Sequence, residues 1–237
     1  MAARVIAVVN QKGGACKTTV ALNLAAALAE TGAQVMLIDA DPESHSASDW
    51  STVRGDNNPP PFKLISMPQP ILHRDVPGLA GEYDFVLIDG PPQSSPITKS
   101  AIAAADLVVI PVQPSGADHR ATRETVKLIE ESRAFKEKQK SVFLVTRRKA
   151  GTAIVAGIRK VLHDDYKLPQ LRTEIPDRVA YAEAITKGTT IFEEQPRGPG
   201  PQDFRALLAE IKELMTDEQD RQNRSVSIRK PPTERRR

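Results

Sequence analysis

The sequence predicts an α/β fold, a single doubly wound and mainly parallel sheet with helices on both faces. Short apolar runs typical of buried strands alternate with helical patterns from residue 4 to residue 215, and this alternation favours a parallel sheet. A glycine-rich turn joins the first strand to the first helix. The chain of 237 residues is long enough to bury one sizeable core. We therefore predict one domain over residues 1–215 and a basic, disordered tail over residues 216–237.

The composition excludes several classes of protein. A single cysteine rules out a disulfide framework and fits a reducing compartment. There is no charged and apolar leader and no apolar run of about 18 residues, so we expect neither secretion nor a membrane span. The four histidines are scattered, without the spacing of a metal site. We accordingly expect a cytoplasmic protein with no membrane partner.

The charge of the chain is concentrated near its C-terminus. The net charge is +3 and the pI is about 9.0. Residues 217–237 carry seven basic and four acidic side chains, which accounts for the whole excess. Apolar residues nearly vanish after Thr216, and Pro231-Pro232 interrupts any helix, so this tail is predicted to be disordered. Attraction of the remaining domain to polyanions must come from local basic patches.

The first predicted strand, turn and helix carry the most informative pattern in the chain. The apolar run Val5–Val9 ends at Lys12-Gly13-Gly14, and a helical pattern opens at Lys17 and continues to about Thr31. Glycines allow backbone N–H groups to turn inward, and a helix N-terminus adds partial positive charge. Lys17 would neutralise β- and γ-phosphates, and the Thr18 hydroxyl would ligate Mg²⁺. The pattern favours a polyphosphate ligand.

The stretch Lys12-Gly13-Gly14-Ala15-Cys16-Lys17-Thr18 resembles the deviant Walker A motif of the ParA/MinD superfamily. The resemblance covers about residues 4–194 and is closest to short ParA-type plasmid partition ATPases. It implies a P-loop NTPase fold and a Mg²⁺-dependent ATPase that forms an ATP-sandwich homodimer, with Lys12 reaching the nucleotide of the partner subunit. The same resemblance assigns nucleotide contacts to Gly13, Gly14, Ala15, Cys16, Lys17, Thr18 and Thr19.

Cys16 departs from the motif, because the family has its last P-loop glycine at this position. If the turn requires a positive φ, a non-glycine residue costs about 1–2 kcal/mol. Two interpretations stay open. The cysteine is a tolerated substitution, or it is an oxidisable thiol whose pKa is lowered by Lys17 and the helix N-terminus. In either case, we expect weaker ATP binding or slower turnover.

Three aspartates follow predicted strands. Asp39 and Asp41 lie at the end of the second predicted strand, and Asp89 ends the apolar run that begins near Tyr83. The resemblance implies that Asp39 and Asp89 act at Mg²⁺ together with Thr18, and that Asp41 orients the hydrolytic water. Without the resemblance, Asp41-Pro42 is better explained as the start of a turn before a helix.

Later segments are predicted to border the base and to contact DNA. The resemblance places Arg147 and Pro176 beside the adenine, and Asp118 either at the dimer side of the site or only at a helix N-cap. It also implies non-specific DNA binding. The candidate DNA contacts are the tail arginines and Arg148, Lys149, Arg172, Arg178 and Lys187. A short basic run such as residues 147–149 is also compatible with a solvated loop.

The function implied by the resemblance is partition of a plasmid or chromosome, with a ParB-like adaptor that stimulates ATP hydrolysis at the nucleoid. Two alternatives share the same motifs. One is a positioning ATPase for a protein cargo, such as carboxysomes or chemoreceptor clusters. The other is a nucleotide- or DNA-binding module in which Cys16 impairs hydrolysis.

Overall fold

The computed structural model describes residues 3–44, 46–93, 95–114, 119–149 and 154–228. Its centre is a seven-stranded sheet in which every pair of neighbouring strands is parallel. The strands are β1 (Arg4–Val8), β2 (Val35–Asp39), β3 (Lys63–Ser66), β4 (Phe85–Asp89), β5 (Leu107–Val112), β6 (Lys140–Arg148) and β7 (Gln170–Pro176). Their order across the sheet is β3-β2-β4-β1-β5-β6-β7. The predicted parallel α/β architecture is confirmed.

Helices cover both faces of the sheet. They are α1 (Lys17–Glu30), α2 (Ser46–Arg54), α3 (Leu72–Leu79), α4 (Pro96–Ala104), α5 (His119–Arg133), α6 (Ile154–Tyr166), α7 (Val179–Thr186), α8 (Ile191–Glu194) and α9 (Pro199–Ile228). Alternate residues of β1 enter two separate apolar clusters, Ile6 and Val8 on one face and Val5 and Ala7 on the other. The first cluster includes α1 and α9, and the second includes α3, α4 and α5. This division explains the continuous apolar runs of β1, β2, β4 and β5, since these inner strands are buried on both sides. The edge strands β3 and β7 are partly exposed.

Helix α1 lies directly behind the glycine-rich turn. Ten of its 14 residues are buried, namely Lys17 and all residues from Val20 to Leu28, so the helix is enclosed on most of its circumference. It ends as the sequence indicates, because Gly32 adopts φ +82° and its N–H bonds the Ala29 carbonyl at 2.9 Å. The N-terminus of a firmly packed helix is thereby fixed at the carboxyl edge of the sheet.

The boundaries of one strand and one helix differ from the prediction. Strand β6 extends to Arg148, so Arg147 lies within the strand instead of after it. Helix α9 runs from Pro199 to Ile228, whereas we predicted a helix over residues 202–215 followed by a disordered tail. The helix continues because no glycine or proline occurs between residues 202 and 230 to interrupt it. Residues 229–237 and Asp118 lie outside the described residues.

None of the described helices is long and apolar enough to span a membrane.

Candidate functional site

A cavity of about 370 Å³ opens between the glycine-rich turn and the carboxyl ends of the central strands. All seven turn and helix residues predicted to contact the nucleotide line it, together with Asp41 and Arg147. The complete lining is Gly13, Gly14, Ala15, Cys16, Lys17, Thr18, Thr19, Asp41, Ser44, Ser46, Gly90, Pro92, Arg147 and Ile185. In parallel α/β sheets ligands bind at this edge.

Lys17 places an ammonium group inside this cavity. The residue is 8% exposed, and its Nζ donates to the Lys12 carbonyl at 3.3 Å. Burial lowers the pKa of Lys17, although Asp89 and Asp41 nearby act in the opposite direction. A buried cation requires a compensating anion. A phosphate group in the cavity would supply that charge at the position of Lys17.

Cys16 has a strained backbone. Its φ of 67° and ψ of 24° lie in the left-handed region, as the prediction for this turn requires. Such a conformation costs a non-glycine residue about 1–2 kcal/mol. Burial raises the pKa of the thiol, and this effect exceeds the lowering by Arg147. Of the two interpretations of Cys16, this favours the tolerated substitution over the oxidisable thiol, because burial disfavours the thiolate more than nearby positive charge favours it.

Asp39 and Asp89 lie side by side, because β2 and β4 are neighbours and these residues pair in register at the strand ends. The two carboxylates have different surroundings. Asp39 accepts hydrogen bonds from the Ser48 N–H at 2.9 Å, the Ser48 hydroxyl at 2.7 Å and the Asp41 N–H at 3.1 Å. Asp89 is buried, and its Oδ1 has no hydrogen-bond partner.

The pKa of Asp89 reflects this environment. Burial raises it to about 7, with further raising by Asp39, while a hydrogen bond from Thr18 and the charge of Lys17 lower it. A carboxylate oxygen and a hydroxyl are hard ligands that suit Mg²⁺. The unpartnered Oδ1 of Asp89 beside the Thr18 hydroxyl therefore fits a divalent cation. Asp39 is less suited, since three donors already occupy its oxygens.

Within the described part of the chain, no three or more His, Cys, Asp or Glu side chains form a group able to hold a metal ion. Mg²⁺ at phosphate sites commonly uses one or two carboxylates and completes its shell with phosphate oxygens and water. The residues around Asp89 match that kind of site.

Of the remaining predicted site residues, only some line the cavity. Arg147 reaches the cavity and has a positive φ of 50°. Pro176 ends β7 and is not among the lining residues. Lys12 is likewise absent from the lining, and its N–H bonds Asn10 Oδ1 at 3.1 Å. Arg147 thus lines the cavity, whereas Lys12, although it belongs to the glycine-rich turn, and Pro176 do not.

Four of the predicted DNA contacts have acidic partners. These ion pairs are Arg148 with Glu174 at 3.1 Å, Arg172 with Glu213 at 2.9 Å, Arg178 with Asp203 at 2.7 Å, and Lys187 with Glu194. Lys149 is exposed. DNA phosphates at the four ion-paired positions would have to compete with carboxylates.

Sequence reasoning missed five residues of the lining, Ser44, Ser46, Gly90, Pro92 and Ile185. Gly90 carried a usable signal, since it directly follows the aspartate of an apolar strand. A Cβ at Gly90 would lie 2.7 Å from Val9 Cγ1 and 3.2 Å from the Val8 carbonyl. Only glycine fits between the two strand ends without a shift.

Comparison with known proteins agrees with this geometry. The chain is 33% identical over 240 residues to the chromosome-partitioning ATPase Soj of Thermus thermophilus, covering 88% of this chain and 95% of that protein. It is 29% identical to the maintenance of carboxysome distribution protein A of Halothiobacillus neapolitanus, covering 90% and 94%.

A solved structure of cobyrinic acid a,c-diamide synthase from Mycobacterium smegmatis, with bound ADP and magnesium, superposes with a TM-score of 0.61. It is 26% identical and covers 78% of this chain and 93% of its own. Residues 6–191 match the family described as the CobQ/CobB/MinD/ParA nucleotide binding domain. This chain, with its buried P-loop lysine and paired strand-end aspartates, belongs to that nucleotide-binding family.

Proposed function

We propose that this protein is a ParA-type ATPase that dimerises around ATP, binds DNA without sequence preference and drives partition of a plasmid or chromosome. The observation that carries the proposal is the buried Lys17, which faces a cavity lined by a glycine-rich turn and Asp41. The similarity to the Thermus thermophilus partition ATPase supports the cellular role.

ATP occupies the cavity with its phosphates against the glycine-rich turn. Backbone N–H groups of residues 13–19 and the Lys17 ammonium bind the phosphates, and Arg147 lies toward the base. Thr18 and Asp89 would hold Mg²⁺, with Asp39 next to them on the adjoining strand. The bound metal would neutralise charge on the β- and γ-phosphates.

Asp41 orients the water that attacks the γ-phosphate. Burial alone would raise the pKa of Asp41, but hydrogen bonds from Ser44 and the Glu43 N–H, with the charge of Lys17, hold the pKa below its usual value. The carboxylate is therefore ionised near pH 7 and able to accept a hydrogen bond from water. Lys12 completes the site of the partner subunit, as the resemblance implies.

The first test separates ATP binding, dimerisation and hydrolysis. We expect a slowly hydrolysed ATP analogue with Mg²⁺ to bind and to double the mass measured by light scattering. Lys12→Ala should bind the analogue yet lose turnover, whereas Lys63→Ala, on the edge strand β3, should behave as wild type. A mass that stays monomeric with the analogue bound would refute the sandwich dimer.

The second test concerns DNA and the adaptor. ATP turnover is measured alone, with non-specific duplex DNA, and with the DNA and a ParB-like adaptor together. Binding through phosphate contacts predicts that DNA retention falls steeply as salt increases. DNA retention that does not depend on salt, or an absence of retention with ATP, would contradict this part of the proposal.

The similarity to the Halothiobacillus neapolitanus protein favours a second candidate, a positioning ATPase for a protein cargo. The two candidates share the ATP site and differ only in the adaptor. A third, a module that binds but does not hydrolyse ATP, follows from the strain at Cys16. It predicts analogue binding without turnover even when the adaptor and DNA are present, a result that the same assay detects.

A further inference from the structure

Ser44 lies three residues after Asp41, in the loop between β2 and α2. Its hydroxyl donates to Asp41 Oδ2, and its N–H donates to Asp41 Oδ1 at 3.2 Å. The Glu43 N–H donates to the same Oδ1 at 3.0 Å. Ser44 and Asp41 both line the nucleotide cavity. The loop therefore donates hydrogen bonds to both oxygens of the Asp41 carboxylate.

These hydrogen bonds limit which acceptor positions of the Asp41 carboxylate remain available to a water molecule. An ionised carboxylate has about four acceptor positions on its two oxygens. Two N–H groups use Oδ1, and the Ser44 hydroxyl uses one position of Oδ2. One position of Oδ2 remains for a water in the cavity. Loss of the hydroxyl would free Oδ2 to turn, and the carboxylate would no longer be held in one orientation.

Ser46 ties this arrangement to α2. Its hydroxyl oxygen lies 2.9 Å from that of Ser44, and Ser46 is the first residue of the helix. Because the one hydroxyl proton of Ser44 is given to Asp41, Ser46 is the donor in this contact. The chain of donors runs from Ser46 to Ser44 to Asp41.

We propose that Ser44 is a positioning residue for ATP hydrolysis, which fixes Asp41 so that Oδ2 is aimed at the attacking water. The inference rests on the proposed function, because it assumes that Asp41 orients that water. Ser44 acts through Asp41 and not through the nucleotide. Its loss should therefore slow the chemical step and leave ATP binding unchanged.

The test compares steady-state ATP hydrolysis and analogue binding in the full chain. Ser44→Ala should lower kcat by about 10- to 100-fold, the scale on which misplaced catalytic groups act, with KM and analogue affinity unchanged. Ser44→Thr keeps the hydroxyl and should restore most of kcat. Ser51→Ala, on α2 but not in the cavity lining, is the matched control and should equal wild type.

A double-mutant cycle separates failure of this inference from failure of the proposed function. Asp41→Asn should leave a low but measurable turnover, and adding Ser44→Ala should lower this residual rate no further, since the serine acts only through the carboxylate. Normal kcat in Ser44→Ala with a nearly inactive Asp41→Asn would overturn the inference alone. Normal turnover in Asp41→Asn would overturn the assigned role of Asp41. A rise in KM for Ser44→Ala without a fall in kcat would show that Ser44 binds ATP instead.

Discussion

Replacing Cys16 with glycine should stabilise the protein, in contrast to the usual effect of introducing glycine. Cys16 has φ 67°, where a side chain costs about 1–2 kcal/mol. Against this gain, glycine raises the conformational entropy of the unfolded chain, which lowers the free energy of unfolding by about 0.4–1 kcal/mol. Comparison of Cys16→Gly with Cys16→Ala removes the thiol from both variants and isolates the backbone. We expect the glycine variant to be more stable than the alanine variant by about 0.5–1 kcal/mol.

The assay is urea and thermal unfolding of both variants without nucleotide. A difference of about 1 kcal/mol corresponds to roughly 2–4 °C in Tm for a chain of this size. Ala182→Gly is the matched control, because Ala182 is exposed inside α7, a right-handed helix. There glycine should be less stable than alanine by about 1 kcal/mol. If Cys16→Gly is no more stable than Cys16→Ala, the backbone at this turn is unstrained and the reasoning fails.

Three further predictions concern the site and its supports. Lys17→Ala should weaken binding of a fluorescent ATP analogue by about 10- to 100-fold, the worth of a hydrogen bond between charged groups; equal affinity would contradict the phosphate role. Gly90→Ala should lower the free energy of unfolding in urea by about 1–3 kcal/mol, because the added Cβ would lie 2.7 Å from Val9 Cγ1. An unchanged free energy of unfolding would mean that the two strand ends can move apart at no cost. Burial raises the pKa of Glu193, but hydrogen bonds from Arg54 and a threonine outweigh burial and hold it below its usual value. The pair therefore stabilises the fold above the unfolded pKa of about 4.3 and loses this effect as the pH falls through the folded pKa. The stability gap between wild type and Glu193→Gln should accordingly narrow as the pH falls below the unfolded pKa, and a gap that widens in acid would refute the assignment.

The sequence was sufficient to place the glycine-rich turn and the strand-end aspartates at one edge of the sheet, because both placements follow from local patterns and strand direction. A strand, a glycine-rich turn and a helix are contiguous, so residues 13–19 needed only local patterns. Asp39 and Asp89 are fifty positions apart but end parallel strands, and the ends of such strands meet at one edge. Topology alone therefore placed them together.

Other features depend on burial or on polar loops, which local patterns do not reveal. The basic neighbour of Cys16 suggested a lowered thiol pKa, whereas burial raises it. Ser44 and Ser46 occupy a polar stretch with no periodicity, and only the hydrogen bond from Ser44 to Asp41 and the contact between the two serine hydroxyls distinguish them. The end of α9 was misplaced because loss of apolar residues marks the end of packing, while a helix ends where a breaker interrupts it.

The strained turn persists because neighbouring strands hold it in place. The Asn10 amide donates to the Pro111 carbonyl at 2.6 Å, and the Gln113 amide donates to the Gly14 carbonyl, so the end of β5 supports both sides of the turn. The Thr146 hydroxyl on β6 lies 3.4 Å from the Ala15 carbonyl. A backbone outlier survives when its surroundings determine its shape more strongly than its own preference does. The contacts from β5 and β6 thus hold the turn on either side of Cys16, and they use carbonyl groups of Gly14 and Ala15 as acceptors. The strain at Cys16 is therefore maintained by the same strands whose carboxyl ends border the cavity.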